Sequence, residues 1–271
     1  MWAWVELGDI AVTTGSLGAA MEASRGAREA AKRLCDAAPA DPDRRHDLGA
    51  PFDGAGDVLA AKGDLYGALA AFRGSLTIAE DLSRAGPGNA GWRRDLSVSY
   101  DRAGEVLVAK GDLDGALEAF RNSLTIAENQ SRADPGNAGW RRELPVSFNK
   151  VGGVMVAKGD LDGALTAFRD GLAISEALSR AEPGAAGWRR DLAASHGKIA
   201  LSLRARGDVA GAGEALRAGR AIVAPLVERH PGWVQWKRDL AAFDALLAEL
   251  DDEGGGLRRV ARWAGKLLGV K

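Results

Sequence analysis

Apolar and small residues recur through this chain at steps of three and four. In the stretch from 92 to 139, Leu96, Val98, Tyr100, Ala103, Leu107 and Val108 follow that spacing, and Leu117, Phe120, Leu124 and Ala127 follow it again. This is the period of an amphipathic helix. The breaks between the two runs are specified locally. Asn89 stands as an N-cap before Ala90-Gly91-Trp92, Lys110-Gly111-Asp112 ends one helix on Gly and opens the next on Asp, and Asp134-Pro135-Gly136 stops the second helix. The pattern predicts a helical hairpin. No run of β-branched or aromatic residues alternates with polar ones, so the expected fold class is all-α.

The hairpin repeats. Trp92-Arg93-Arg94-Asp95-Leu96 returns as Trp140-Arg141-Arg142-Glu143-Leu144, Trp188-Arg189-Arg190-Asp191-Leu192 and Trp236-Lys237-Arg238-Asp239-Leu240, each 48 residues on, with a degenerate copy at Arg44-Arg45-His46-Asp47-Leu48. Pro39, Pro87, Pro135, Pro183 and Pro231 keep the same step, as do Gly15, Gly63, Gly111, Gly159 and Gly207. Segments 44–91 and 92–139 share 33 of 48 positions, and 92–139 and 140–187 share 31 of 48, which chance does not produce. The expected organisation is a repeat array over 1–250, with units at 1–43 (partial), 44–91, 92–139, 140–187, 188–235 and 236–250 (partial). An acidic and Gly-rich linker at 251–256 and a C-terminal helix at 257–271 follow. Gly56, Gly104 and Gly152 sit inside helices, where Gly costs about 1 kcal/mol relative to Ala. Their periodicity therefore predicts close packing of the second helix on the first, with Phe72, Phe120 and Phe168 filling the space between repeats. Pro51, Pro145 and Pro225 fall inside helices and are expected to bend them.

These residues resemble the tetratricopeptide (TPR) repeat. Tyr100, Ala103, Gly104, Leu107, Ala116, Phe120 and Pro135 are similar to its signature, as are Phe52, Ala55, Gly56, Leu59, Ala68, Phe72 and Pro87, and Phe148, Val151, Gly152, Met155, Ala164, Phe168 and Pro183. The flanking units match less well: Ala200 and Leu216 replace the small Gly and the Phe. The repeat is longer than the family's 34 residues, and seven extra residues per helix, nearly two turns, keep the inward stripe in phase. The resemblance implies a right-handed α-solenoid of antiparallel hairpins that binds peptides or proteins in a concave groove lined by the first helices. By that resemblance Asp53, Asp57, Asp101, Glu105 and Asn149 face the groove. The acids of each pair lie four residues apart and share a helix face, so the expected ligand is a basic segment of a protein partner. Arg102, Lys150 and Lys198 lie beside this row. Family members that grip a terminal carboxylate use Lys and Asn in the groove, and Asp53 and Asp101 here disfavour that partner.

Composition narrows the chemistry. Lys+Arg 36 against Asp+Glu 37 gives a net charge of -1, so nucleic-acid binding is not expected. The Trp-Arg-Arg clusters read as packing Trp covered by solvated Arg. His46, His196 and His230 are far apart, the single Cys35 has no partner thiol, and no metal-ligand spacing or phosphate loop occurs. No catalytic residue, metal or cofactor is expected, and the single cysteine suits a reducing, cytoplasmic location.

The two ends carry other possibilities. Met1 enters the repeat partway along a first helix, so Trp2, Trp4, Val5 and Leu7 form an apolar edge suited to self-association, or the chain is a fragment of a longer effector protein. Segment 257–271 places Leu257, Val260, Ala261, Ala264, Leu267 and Leu268 on one helical face and Arg258, Arg259, Arg262 and Lys266 on the other, with Trp263 at the border. Such a helix either caps the last repeat or makes a peripheral membrane contact. The expected function is a non-catalytic interaction scaffold, with a membrane-surface adaptor and a regulatory repeat fragment as alternatives.

Overall fold

The computed structural model describes residues 41–182 and 186–251, with isolated positions between 18 and 33. The N-terminal apolar edge, Cys35, and the linker and basic helix from 252 onward lie outside the described residues. Among the described residues the secondary structure is helical and no strand occurs. None of these helices is long and apolar enough to cross a membrane. The chain divides into two compact units, Met1–Gln130 and Ser131–Lys271.

Unit 1 runs through α1 (Pro42–Asp47), α2 (Gly49–Ala61), α3 (Leu65–Ala85), α4 (Ala90–Ala109) and most of α5 (Leu113–Ala133). Asp41 caps α1 by accepting the Asp43 N–H at 3.0 Å, with Pro42 at the first helical position. The helix then breaks at Leu48. Pro51 explains the break: it has no N–H for the Asp47 carbonyl and its ring crowds that group. At the hairpin turns Gly63 and Gly111 adopt φ of 80° and 78°, a left-handed conformation that a side chain resists. The next residue then caps the second helix, with Gly67 N–H donating to Asp64 at 2.9 Å and Gly115 N–H to Asp112 at 3.0 Å. Asn89 accepts the Trp92 N–H at the start of α4, as the sequence predicts.

Unit 2 repeats the plan with α6 (Ala138–Ala157), α7 (Leu161–Ala181), α8 (Ala186–Ala205), α9 (Val209–Arg229) and α10 (Val234–Asp251). Helix α6 continues through Pro145 and α9 through Pro225. Consecutive helices pack on one another, so each is both half of a hairpin and a neighbour of the next.

The helical glycines are explained by their neighbours. A Cβ on Gly56 would lie 2.5 Å from the Phe72 ring, one on Gly104 2.7 Å from Phe120, and one on Gly152 2.5 Å from Phe168. The Phe therefore seats on the Gly of its own hairpin and not in the space between repeats that its periodicity predicts. At the matching place in α8 and α9 the pair is Ala200 and Leu216, each 2% exposed. One methyl added on one side is offset by a smaller residue on the other, which conserves volume.

A second pair joins successive repeats. In unit 1 the Ser75 and Ser99 hydroxyls lie 3.3 Å apart, buried. In unit 2 the matching residues are Gly219 and Phe243, and a Cβ on Gly219 would come within 2.5 Å of that ring.

The Trp-Arg-Arg motif is a connector as well as a packing device. Trp140, Trp188 and Trp236 are buried at 6%, 7% and 3% exposure. The Arg at the third motif position is exposed as expected, 59% at Arg142 and 44% at Arg190, and this position also reaches the fourth of the next repeat, 49 residues on. His46 Nε2 lies 2.8 Å from Asp95, Arg142 3.6 Å from Asp191, and Arg190 2.6 Å from Asp239.

Candidate functional site

Helices α2 and α4 place the expected groove residues of unit 1 together. Asp53 and Asp57 stand one turn apart on α2, and Asp101 and Glu105 one turn apart on α4, because both pairs are spaced by four. Arg102, on α4, closes the gap. Its Nη1 donates to Asp57 Oδ1 at 2.5 Å, and its guanidinium carbon lies 5.6 Å from the centroid of the Phe72 ring. Burial works against the charge of Arg102. The hydrogen bond to Asp57, with the charges of Asp57, Asp53 and Glu105, outweighs that and raises its pKa further. Three carboxylates thus surround one guanidinium.

Asp53 is the least exposed of the three. Burial pushes its carboxyl above the ordinary value, and the charges of Asp57 and Asp95 push the same way, against the pull of Arg102 and a hydrogen bond from Ser75. Its Oδ1 is buried and has no hydrogen-bond partner.

Asn149 lies in unit 2, on α6, and its buried Oδ1 also lacks a partner. The charge of the row is different there. Counting in steps of 48, Asp53 and Asp101 are followed by Asn149 and Gly197, Asp57 and Glu105 by Gly153 and Leu201, and Gly54 and Arg102 by Lys150 and Lys198. Lys198 packs with its Nζ 6.0 Å from the centroid of the Phe168 ring. Burial lowers its pKa to about 8, and the nearby charge of Lys150 contributes.

The acids stand out in the sequence pattern, and the residues that sit among them do not. Ser75 and Trp92 adjoin Asp53 in a cavity, and the His46–Asp95 pair borders it. The signal was present: His46 occupies the register of Arg94, Arg142 and Arg190, opposite an acid at every step. The expected membrane or capping residues, Arg258, Arg259, Arg262, Trp263 and Lys266, lie outside the described residues.

No family model matches this chain, and no curated protein matches it. Solved structures do. The chain is similar to BtubC (BKLC) from P. vanneervenii, at 17% identity and a TM-score of 0.62, with 93% of this chain and 92% of that one covered. The apo form of RapI is similar at 14% identity and a TM-score of 0.64, over 99% of this chain and 82% of that one. The nearly identical TPR-like repeats of a Podosopora anserina putative kinesin light chain align at 19% identity and a TM-score of 0.61, covering 83% of this chain and 95% of that one. At such identities the likeness speaks for the fold: this is an all-α chain of TPR-like helical repeats.

Proposed function

We propose that the protein is a non-catalytic interaction module of the long-helix TPR type, and that the α2–α4 face of unit 1 receives a basic segment of a protein partner. The observation that supports this is the excess of carboxylate over cation there. Asp53, Asp57 and Glu105 all act on the one guanidinium of Arg102, which is hydrogen-bonded to Asp57. A cationic segment relieves that repulsion, and its binding weakens as salt screens the exposed charges.

Affinity capture from the native host lysate tests the reading, with the wild-type chain compared against Asp57→Asn/Glu105→Gln after circular dichroism has shown equal helicity. A partner held by the wild type at low salt and lost from the variant supports the acidic face. A partner retained equally by both overturns it.

A further inference from the structure

A cavity of about 170 Å³ lies where α2, α3 and α4 meet in unit 1. It is smaller than the roughly 300–1,000 Å³ of a cofactor-sized site and close to the about 150 Å³ that accommodates one benzene. It therefore fits a single side chain. Leu82, Trp92 and Val98 give it apolar walls, while Asp53, Ser75 and Ser99 give it a polar corner.

That corner is incompletely satisfied. Ser99 and Ser75 are within hydrogen-bond distance of each other, and Ser75 hydrogen bonds the Asp53 carboxyl group. The Oδ1 of that carboxyl is buried without a hydrogen-bond partner. The neighbouring basic side chains have partners elsewhere: Arg102 on Asp57, His46 on Asp95, and Arg45 on Asp81. An apolar guest leaves Oδ1 unanswered. A guest with a long alkyl stem and a cationic tip answers both the walls and the oxygen, and the carboxylate torsion is soft enough to turn toward it.

The repeat itself shows that the carboxylate is not needed to build the cavity. Three repeats on, in unit 2, the matching cavity of about 360 Å³ is lined by Gly197 at the Asp53 position and Phe243 at the Ser99 position. The hairpin frame tolerates that change, so Asp53 is not fixed by packing.

We infer that the unit 1 cavity is an anchor pocket for one lysine side chain of the bound segment, its ammonium on Asp53 and its methylenes against Trp92, Leu82 and Val98. The inference rests on the reading of the α2–α4 face as a receptor for a basic segment and names the residue that anchors it. Arginine fits less well. Its planar fork is matched by both oxygens of a carboxylate, and Ser75 already competes for this one.

The test uses the full chain and small probes, with the Trp92 indole N–H resonance as reporter, assigned with Trp92→Phe. Nα-acetyl-lysine methylamide should shift this resonance. Its Nε-acetylated form should not at the same concentration, and the arginine analogue should bind more weakly. Asp53→Asn, nearly isosteric, should weaken the lysine probe by at least about tenfold, equivalent to about 1.4 kcal/mol, while Glu214→Gln, an exposed acid of unit 2, leaves it within about twofold. A resonance that the lysine probe does not move, or moves equally in Asp53→Asn, overturns the pocket. If that occurs while partner capture still depends on Asp57 and Glu105, the pocket alone falls and the acidic face stands. Capture indifferent to Asp57 and Glu105 overturns the face, and with it the assignment of the lysine to a bound segment.

Discussion

Units 1 and 2 are built on one hairpin plan, yet the matching row on their first helices is acidic in unit 1 and loses its acids in unit 2, where Asn149, Gly153, Gly197 and Leu201 stand in their places and Lys150 and Lys198 keep the cationic register of Arg102. Unit 1 sets Asp53, Asp57 and Glu105 around Arg102, whereas unit 2 sets Lys198 beside Lys150. The residues that meet between packed helices behave differently. Within a hairpin Gly with Phe becomes Ala200 with Leu216, and between repeats Ser75 with Ser99 becomes Gly219 with Phe243. Packing couples partners because added volume on one side needs space on the other. Charge on the first helices is not coupled in this way, so each unit carries its own.

The strongest test of the common plan is to overfill both units at the same place. Gly104→Leu and Gly152→Leu should each destabilise by about 3 kcal/mol or more, the upper end for overpacking, because an added Cβ already falls 2.5–2.7 Å from a Phe ring. Thermal melts followed by circular dichroism measure this, and unequal losses would break the equivalence. The pair Gly104→Ala/Phe120→Leu, copied from Ala200 and Leu216, should recover most of the loss that Gly104→Ala causes alone, as a double-mutant cycle reads it.

The difference in charge should appear as opposite pH dependence. Lys198 has its folded pKa lowered to about 8 from 10.5, so between those values the unfolded chain binds more protons and stability rises with pH. Its charge is therefore a penalty below about pH 8. Lys198→Met should stabilise by about 1–3 kcal/mol at pH 7, with the gain fading as pH rises toward 10.5. For Asp53 the folded pKa is raised from 3.8, so between 3.8 and the folded value the folded state binds more protons and stability falls as pH rises. Asp53→Asn should then stabilise at pH 7, with the gain fading on acidification toward 3.8 and below. Urea titrations at several pH values separate the two, and gains of the same pH sense would overturn the contrast.

Smaller effects sharpen the comparison. Asn89→Ala and Asn137→Ala each remove a side-chain cap and should cost about 1 kcal/mol in either unit. His46→Ala and Arg142→Ala break half-exposed inter-repeat pairs and should cost less than about 1 kcal/mol. High salt should diminish that cost further.

Much of this was legible in the residues. Asn89, Gly111 and Asp112 act on backbone groups within a few positions of themselves, so their caps and turns follow from local order. The seating of Phe120 on Gly104 was half legible: periodic helical Gly demanded a close neighbour, but which ring supplied it depended on the side-chain directions of two helices. The expected groove acids were readable as a charged stripe. Their inequality was not, because Asp53 and Asp57 look alike in sequence while Arg102 grips one and Ser75 bonds the other.

The sequence by itself determined the helical hairpin, its turns and its repetition. Each rests on period, capping and self-similarity, which are properties of neighbours along the chain. Only the tertiary structure decided that Arg102 engages Asp57, that the Trp-Arg-Arg motif ties one repeat to the acid 49 residues on, and that a cavity adjoins Asp53. Those depend on where separate helices bring their side chains, and burial, which sets the cost of an unpaired charge, exists only once the helices have packed.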